Sequence, residues 1–244
     1  MPTALYKYQT LTAYSLASLI NDTVWLAQPS SFNDPFDCAI TADRSKLKES
    51  VAHAVEFISK ASDPATLVDK DLLGERKGDA EAYEQYRLGI RSVLQQSGIL
   101  CLSEDPNSML MWSHYANHHR GFCIQYDFSE GSRLRTLAQP VRYSDSMPSV
   151  SLADLAGANR TEALDSLWLT KAACWSYEKE WRVIMPNGGS SYQAPSPLTA
   201  VIFGARMAES ERTMVKHALR HNQNVAFKEA VIQDEKFCIE IRDT

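Results

Sequence analysis

Phe122, Ile124, Tyr126 and Phe128 alternate with residues of a different kind. That is the period of a strand with one face in a core and the other partly open. Such a strand needs partners and a packed layer, and the rest of the chain offers both. Short strand-like runs stand at Leu5–Tyr8, Thr23–Ala27, Ile99–Ser103, Glu180–Met185, Leu198–Phe203, Val225–Glu229 and Phe237–Ile241. Val141–Tyr143 is expected beside Phe122–Phe128. Helical spacing covers Leu11–Ile20, which stops at Asn21-Asp22, and Lys46–Ser59, where Leu47, Val51, Val55 and Ile58 form a stripe. Leu67–Gln96 is helix-rich, with breaks at Gly74 and Gly78. A short helix through Met109–Trp112 is expected to be capped by Gly121. Thr161–Cys174 and Ser210–His221 complete the helices. No regular βαβ rhythm runs through this order, so the fold class is α+β. The expectation is one domain over residues 1–244, with a helical insert at roughly 46–97.

Composition narrows the functional classes. The chain has 244 residues, a formal net charge of -5, 44% hydrophobic and 23% charged residues. No global basic field exists to gather nucleic acid without regard to sequence. The five cysteines, Cys38, Cys101, Cys123, Cys174 and Cys238, form no C-x-x-C pair and read as reduced thiols. The first residues carry no basic and apolar leader pattern, and no apolar run is long enough to span a bilayer. A cytoplasmic location without a membrane partner is the expectation.

The densest chemistry lies in Trp175-Ser-Tyr-Glu-Lys-Glu-Trp-Arg182, followed by the apolar Val183-Ile184-Met185. At strand spacing, Glu178 and Glu180 would share a face at the start of a strand. One carboxylate can hold a ribose hydroxyl or stabilise positive charge at a sugar carbon, and the other can position a nucleophile. The other reading is a solvated pair bonded to Lys179 or Arg182. Trp175, Tyr177 and Trp181 favour a ligand wall.

Asn107–Tyr115 and His118-His119-Arg120 form a second group. His114 and His118 are four apart, as in a zinc pair, yet no third ligand stands at metal spacing, so no metal is assigned. Basic residues at a helix C-terminus also suit its dipole. Ser113 and His114 are adjacent, a poor arrangement for nucleophile and base. Phe32-Asn-Asp-Pro-Phe-Asp37 reads as a rigid turn or as a polar site. Tyr6-Lys7-Tyr8 reads as an edge strand or as an anion contact. The chain has no phosphate loop, no G-x-G-x-x-G and no nucleophile elbow.

Taken in order, Leu5–Tyr8, Phe32–Asp37, Cys101–Ser103, Met111–Ala116, Gly121–Ile124, Lys171 and Trp175–Arg182 resemble the bacterial family catalogued as domain of unknown function 2971. The resemblance runs from Leu5 to Gly204. More distantly, the layout resembles an ADP-ribosyltransferase fold, which implies a mixed, mostly antiparallel sheet. That resemblance implies NAD as co-substrate and Glu180 as the catalytic glutamate, with Glu178 orienting the acceptor. It implies a nucleotide site drawn from Tyr6, Lys7, Tyr8, Asn33, Asp34, Trp112, Ser113, His114, Tyr115, Trp175 and Arg182. Two positions depart from it: Tyr-Lys-Tyr stands where Arg or His is usual, and Ser30-Ser31 lies in a loop. The implied activity is transfer of ADP-ribose to a protein or nucleic-acid acceptor, as in a toxin or phage-defence effector with an antitoxin or defence-system partner. Two alternatives stay open: a non-catalytic sensor module binding a nucleotide or peptide in a pocket of Trp112, Trp175 and Trp181 with its acids, and a magnesium-dependent nuclease using Asp34, Asp37, Glu178 and Glu180.

Overall fold

Strand β1 (Ala4–Gln9) opens the chain yet sits inside the main sheet. It pairs along its whole length with β5 (Phe122–Asp127), and at Tyr6↔Ser103 with β4 (Gly98–Ser103). The computed structural model describes residues 1–39, 41–42, 88, 91–92, 94–150, 154 and 160–244. The chain divides into two compact units, one of residues 1–27, 98–141 and 174–244, the other of 28–97 and 142–173.

The first unit holds an eight-stranded sheet in the order β14-β13-β12-β5-β1-β4-β10-β6. Its further members are β6 (Gln139–Pro140), β10 (Glu180–Met185), β12 (Leu198–Phe203), β13 (Ala226–Ile232) and β14 (Ile239–Asp243). Every pairing is antiparallel except β12 with β13. A small two-stranded sheet joins β2 (Thr23–Leu26) to β11 (Ser190–Gln193). The expected mixed α+β class is therefore present, with a mostly antiparallel sheet.

Alternation sorts the side chains onto two faces. Leu5, Leu100, Leu102, Ile124, Tyr126, Trp181, Val183, Val201 and Phe203 form one core. Helices α1 (Ala13–Ile20), α3 (Arg133–Leu137) and α5 (Glu209–Ala218) bury Leu19, Leu134 and Val215 against it. Helix α1 starts on a reciprocal cap: Thr12 Oγ1 accepts from the Ser15 N–H, and Ser15 Oγ accepts from the Thr12 N–H. The opposite face carries Tyr8, Cys123, Ile202 and Ala230, covered by Met111 and Trp112 of α2 (Met109–Tyr115). Strand β5 is thus buried on both sides at Phe122, Cys123 and Ile124, where alternation had suggested a half-open strand.

The second unit pairs β3 (Thr41–Ala42) with β8 (Ser149–Val150), and β7 (Arg142–Ser144) with β9 (Thr170–Ala172), both in parallel. Val141–Tyr143 is therefore not the neighbour of β5; the longer apolar runs of β1 and β12 take both of its edges. Helix α4 (Arg160–Leu169) packs Ala163 and Leu167 with Leu94 and Val150. It ends five residues before Cys174, because the β-branched Thr170 begins β9. The stripe at 46–59 lies outside the described residues. So does the helix-rich stretch at 67–96, apart from 88, 91–92 and 94–96, which are helical.

Gly121 does not cap α2. The helix ends at Tyr115, and Asn117, His118 and His119 take the left-handed conformation in succession, with φ of 47°, 53° and 67°. Gly121 serves close approach instead: a Cβ there would lie 2.1 Å from the Gln9 carbonyl oxygen. Gly121→Ala is expected to cost about 1–3 kcal/mol through overpacking, read as a lower urea midpoint at unchanged m-value.

Candidate functional site

Glu178 and Glu180 do not follow one strand. Glu178 ends a 3-10 turn, Ala173–Glu178, and Lys179 has φ of 44° before β10 begins at Glu180. The left-handed residue breaks the alternation, so the two carboxylates are held by separate devices.

Glu180 is 4% exposed. Arg182, two residues on and on the same face, grips it with two bonds: Nε to Oε1 at 2.8 Å and Nη2 to Oε2 at 3.0 Å. Arg182 has no exposed surface. A bidentate guanidinium–carboxylate pair keeps both charges tolerable away from water. The register places Glu180 opposite Ser103, and Ser103 opposite Tyr6. Three side chains on three adjacent strands thus share one face.

Glu178 is equally buried, and its Oε1 accepts from the Tyr115 hydroxyl at 2.6 Å. Ser103 Oγ donates to the Glu178 carbonyl at 2.6 Å and accepts from the Asp105 N–H at 3.1 Å. This serine, absent from the sequence-based site, ties the end of β4 to the turn that carries Glu178. Beside it runs an aromatic series: His114 to Tyr177 at 6.3 Å between ring centroids, and Tyr177 to Trp175 at 5.9 Å.

The remaining candidates separate by burial and by face. Trp112 is wholly inside the core, with its indole N–H on the Pro106 carbonyl and its ring edge-on to Tyr8. The Tyr8 hydroxyl donates to the Asp105 carbonyl. Trp181 packs on Phe128 in the other core, on the face opposite Glu180. A single wall of Trp112, Trp175 and Trp181 is therefore not what the fold builds. By alternation Lys7 leaves the face of Tyr6 and Tyr8, and its ammonium donates to the Cys101 carbonyl at 3.0 Å. In the second unit Asn33 is exposed, and Asp34 Oδ1 accepts from the Phe36 N–H at 2.9 Å, a structural turn bond. Asp37 pairs with Lys171 at 3.5 Å, both buried. Among the described residues, no group of three or more His, Cys, Asp or Glu is arranged to hold a metal ion.

Ser113 meets not His114 but His119, its Oγ 3.0 Å from Nε2. Burial, with Arg206 and His118 nearby, lowers the His119 imidazole below its usual value. The pair opens on a cavity of about 450 Å³ closed by the β13–β14 connection. A second cavity, about 330 Å³, is lined by Tyr6, Asn107, Gln125 and Lys228. The left-handed turn that brings His119 back to Ser113 could not be read from spacing. Gln125 left one signal, an amide between the apolar Ile124 and Tyr126 of a strand.

These elements define an α+β protein with two buried carboxylates at one end of a mostly antiparallel sheet. Residues 111–183 match the family model described as "Protein of unknown function (DUF2971)". That match bears out the family resemblance drawn from the motifs, and it includes Trp112–Tyr115 and Trp175–Arg182. No curated protein and no solved structure matches the chain.

Two outcomes test the site. Arg182→Met should destabilise by about 3–5 kcal/mol, because Glu180 stays buried without its partner, and adding Glu180→Leu should restore most of that loss; a thermal or urea double-mutant cycle reads the coupling. Burial and the neighbouring Glu180 push the Cys101 thiol up, and burial does the same to Cys123. Brief alkylation of the native protein at pH 8 should therefore label the exposed Cys174 and spare Cys101 and Cys123, as peptide mapping would read.

Proposed function

We propose that this chain is an ADP-ribosyltransferase-like enzyme that transfers ADP-ribose from NAD to a protein or nucleic-acid acceptor, in the manner of a toxin or defence effector in the cytoplasm. The observation that carries the proposal is the row Tyr6–Ser103–Glu180 on adjacent strands, with Glu180 at the start of β10 and fixed by Arg182. In this reading the Glu180 carboxylate, held in place by Arg182, meets a ribose hydroxyl of NAD. As the bond from C1′ to nicotinamide breaks, positive charge grows on the sugar, and the fixed carboxylate stabilises it without reorganising. Nicotinamide departs with the bonding electrons. The acceptor then bonds to C1′ and releases a proton. Glu178, bonded to Tyr115 and flanked by Tyr177 and Trp175, orients the acceptor.

A sensor reading is favoured by one feature: both carboxylates are almost without exposed surface, which suits holding a ligand more than turning it over. The same experiment separates the two. The protein is incubated with radiolabelled NAD and cell extract, and nicotinamide release and labelled product are measured. Transfer predicts both, with a loss of about 10²–10³ in Glu180→Gln and a smaller loss in Tyr115→Phe. Folding of each variant is checked by its melting temperature. Binding of NAD without any release supports the sensor. No release, no product and no binding would remove both readings.

A further inference from the structure

The 330 Å³ cavity beside Tyr6 has the make-up of a ligand site on its own account. Its walls are apolar at Ile202 and Ile241, and its polar members converge from five separate segments. Tyr6 comes from β1, Gln125 from β5, Lys228 from β13, Asn107 from the segment before α2 and Glu240 from β14, where Arg242 pairs with its carboxylate at 2.7 Å. Among the described residues, the Tyr6 hydroxyl and the Asn107 side-chain amide make no hydrogen bond, while Gln125 gives its Nε2 to Thr199 Oγ1 at 3.0 Å and keeps its carbonyl oxygen open. Burial, then Cys123 and Asp105, raise the Tyr6 phenol, so it is a donor at neutral pH. Lys228 is paired loosely, at 3.6 Å, with Asp243, which is 90% exposed in its side chain. Such a surface pair is worth little and exchanges readily for a better anion.

Side-chain amides pair with the donor and acceptor edge of adenine, and an ammonium pairs with phosphate. The volume lies at the lower end of small-molecule sites, about 300–1,000 Å³, and suits a base with its sugar. We infer that this cavity binds an adenine mononucleotide, with the base on Asn107 and Gln125, the sugar against Tyr6 and the phosphate on Lys228. Tyr6 lies two strands from Glu180, roughly 10 Å at the usual strand spacing. The binding does not rest on the transfer chemistry at Glu180.

Calorimetric titration with AMP tests the inference. Saturable binding is expected, weakened about five- to tenfold in Asn107→Ala, the loss of one hydrogen bond of about 1–1.4 kcal/mol. Lys228→Met should weaken AMP by a similar factor and leave adenosine unchanged. Both side chains lie outside the apolar cores, and Tyr6→Phe supplies a third variant. Competition by NAD would make the ligand part of a dinucleotide, and its absence would make it a separate nucleotide. No saturation at millimolar AMP, binding equal to that of CMP, or AMP affinity unchanged in all three variants overturns the inference. A protein that binds AMP but releases no nicotinamide would remove the transfer reading alone; one that releases nicotinamide without binding AMP would remove this one alone.

Discussion

The ion pair between Glu180 and Arg182 is the constraint on which the end of the sheet depends. Removing two charges from water costs several kcal/mol per ion, and only close, doubly bonded geometry offsets that. Both residues lie on one face of a strand whose other face supplies Trp181 and Val183 to the main core. Strand β10 must therefore hold a fixed register on β4, because a slip of one residue would bring the charges into the apolar layer and the tryptophan out of it. The pair specifies position more than it adds stability.

Around it the chain uses local bonds to define the two carboxylates separately. Ser103 fixes the turn below Glu178, Tyr115 fixes the carboxylate itself, and Lys179 adopts the left-handed conformation that changes direction between them. The Lys179 ammonium reaches Asp105 at 3.0 Å, so the same short segment is tied at backbone and side chain. Glu178 and Glu180, two residues apart in sequence, thus occupy distinct surroundings, which is what separate roles in holding and orienting a ligand require.

Much of this was legible in the residues. Strand-like runs at Leu5, Ile99, Phe122, Glu180 and Leu198 all became members of the sheet, since short apolar or alternating runs bounded by turn residues mark strands, although alternation understated the burial of β5. A pairing of the glutamates with Arg182 was also expected, but as a solvated pair, whereas Glu180 and Arg182 are both buried. What stayed hidden depends on contacts distant in sequence. Trp112 and Trp181 look like ligand walls until their opposite cores are known. Ser113 finds His119 only through three successive left-handed residues, Asn117, His118 and His119; Asn and His are enriched in that conformation, but a run of three without glycine is not written in their spacing. Val141–Tyr143 is too short for its pairing to be decided by its own pattern.

The place of β1 also matters while the chain is being made. The first strand emerges with residues 4–9, and its partners are β4, ending at residue 103, and β5, ending at residue 127. At about 5–20 residues per second, this strand waits on the order of 5–20 s for an edge to join. During that interval Leu5 and Tyr8, both buried in the finished fold, have not yet met their sheet partners. The strand that becomes the centre of the sheet is thus made well before either of its partners, and β2 waits longer still, for β11 at residues 190–193.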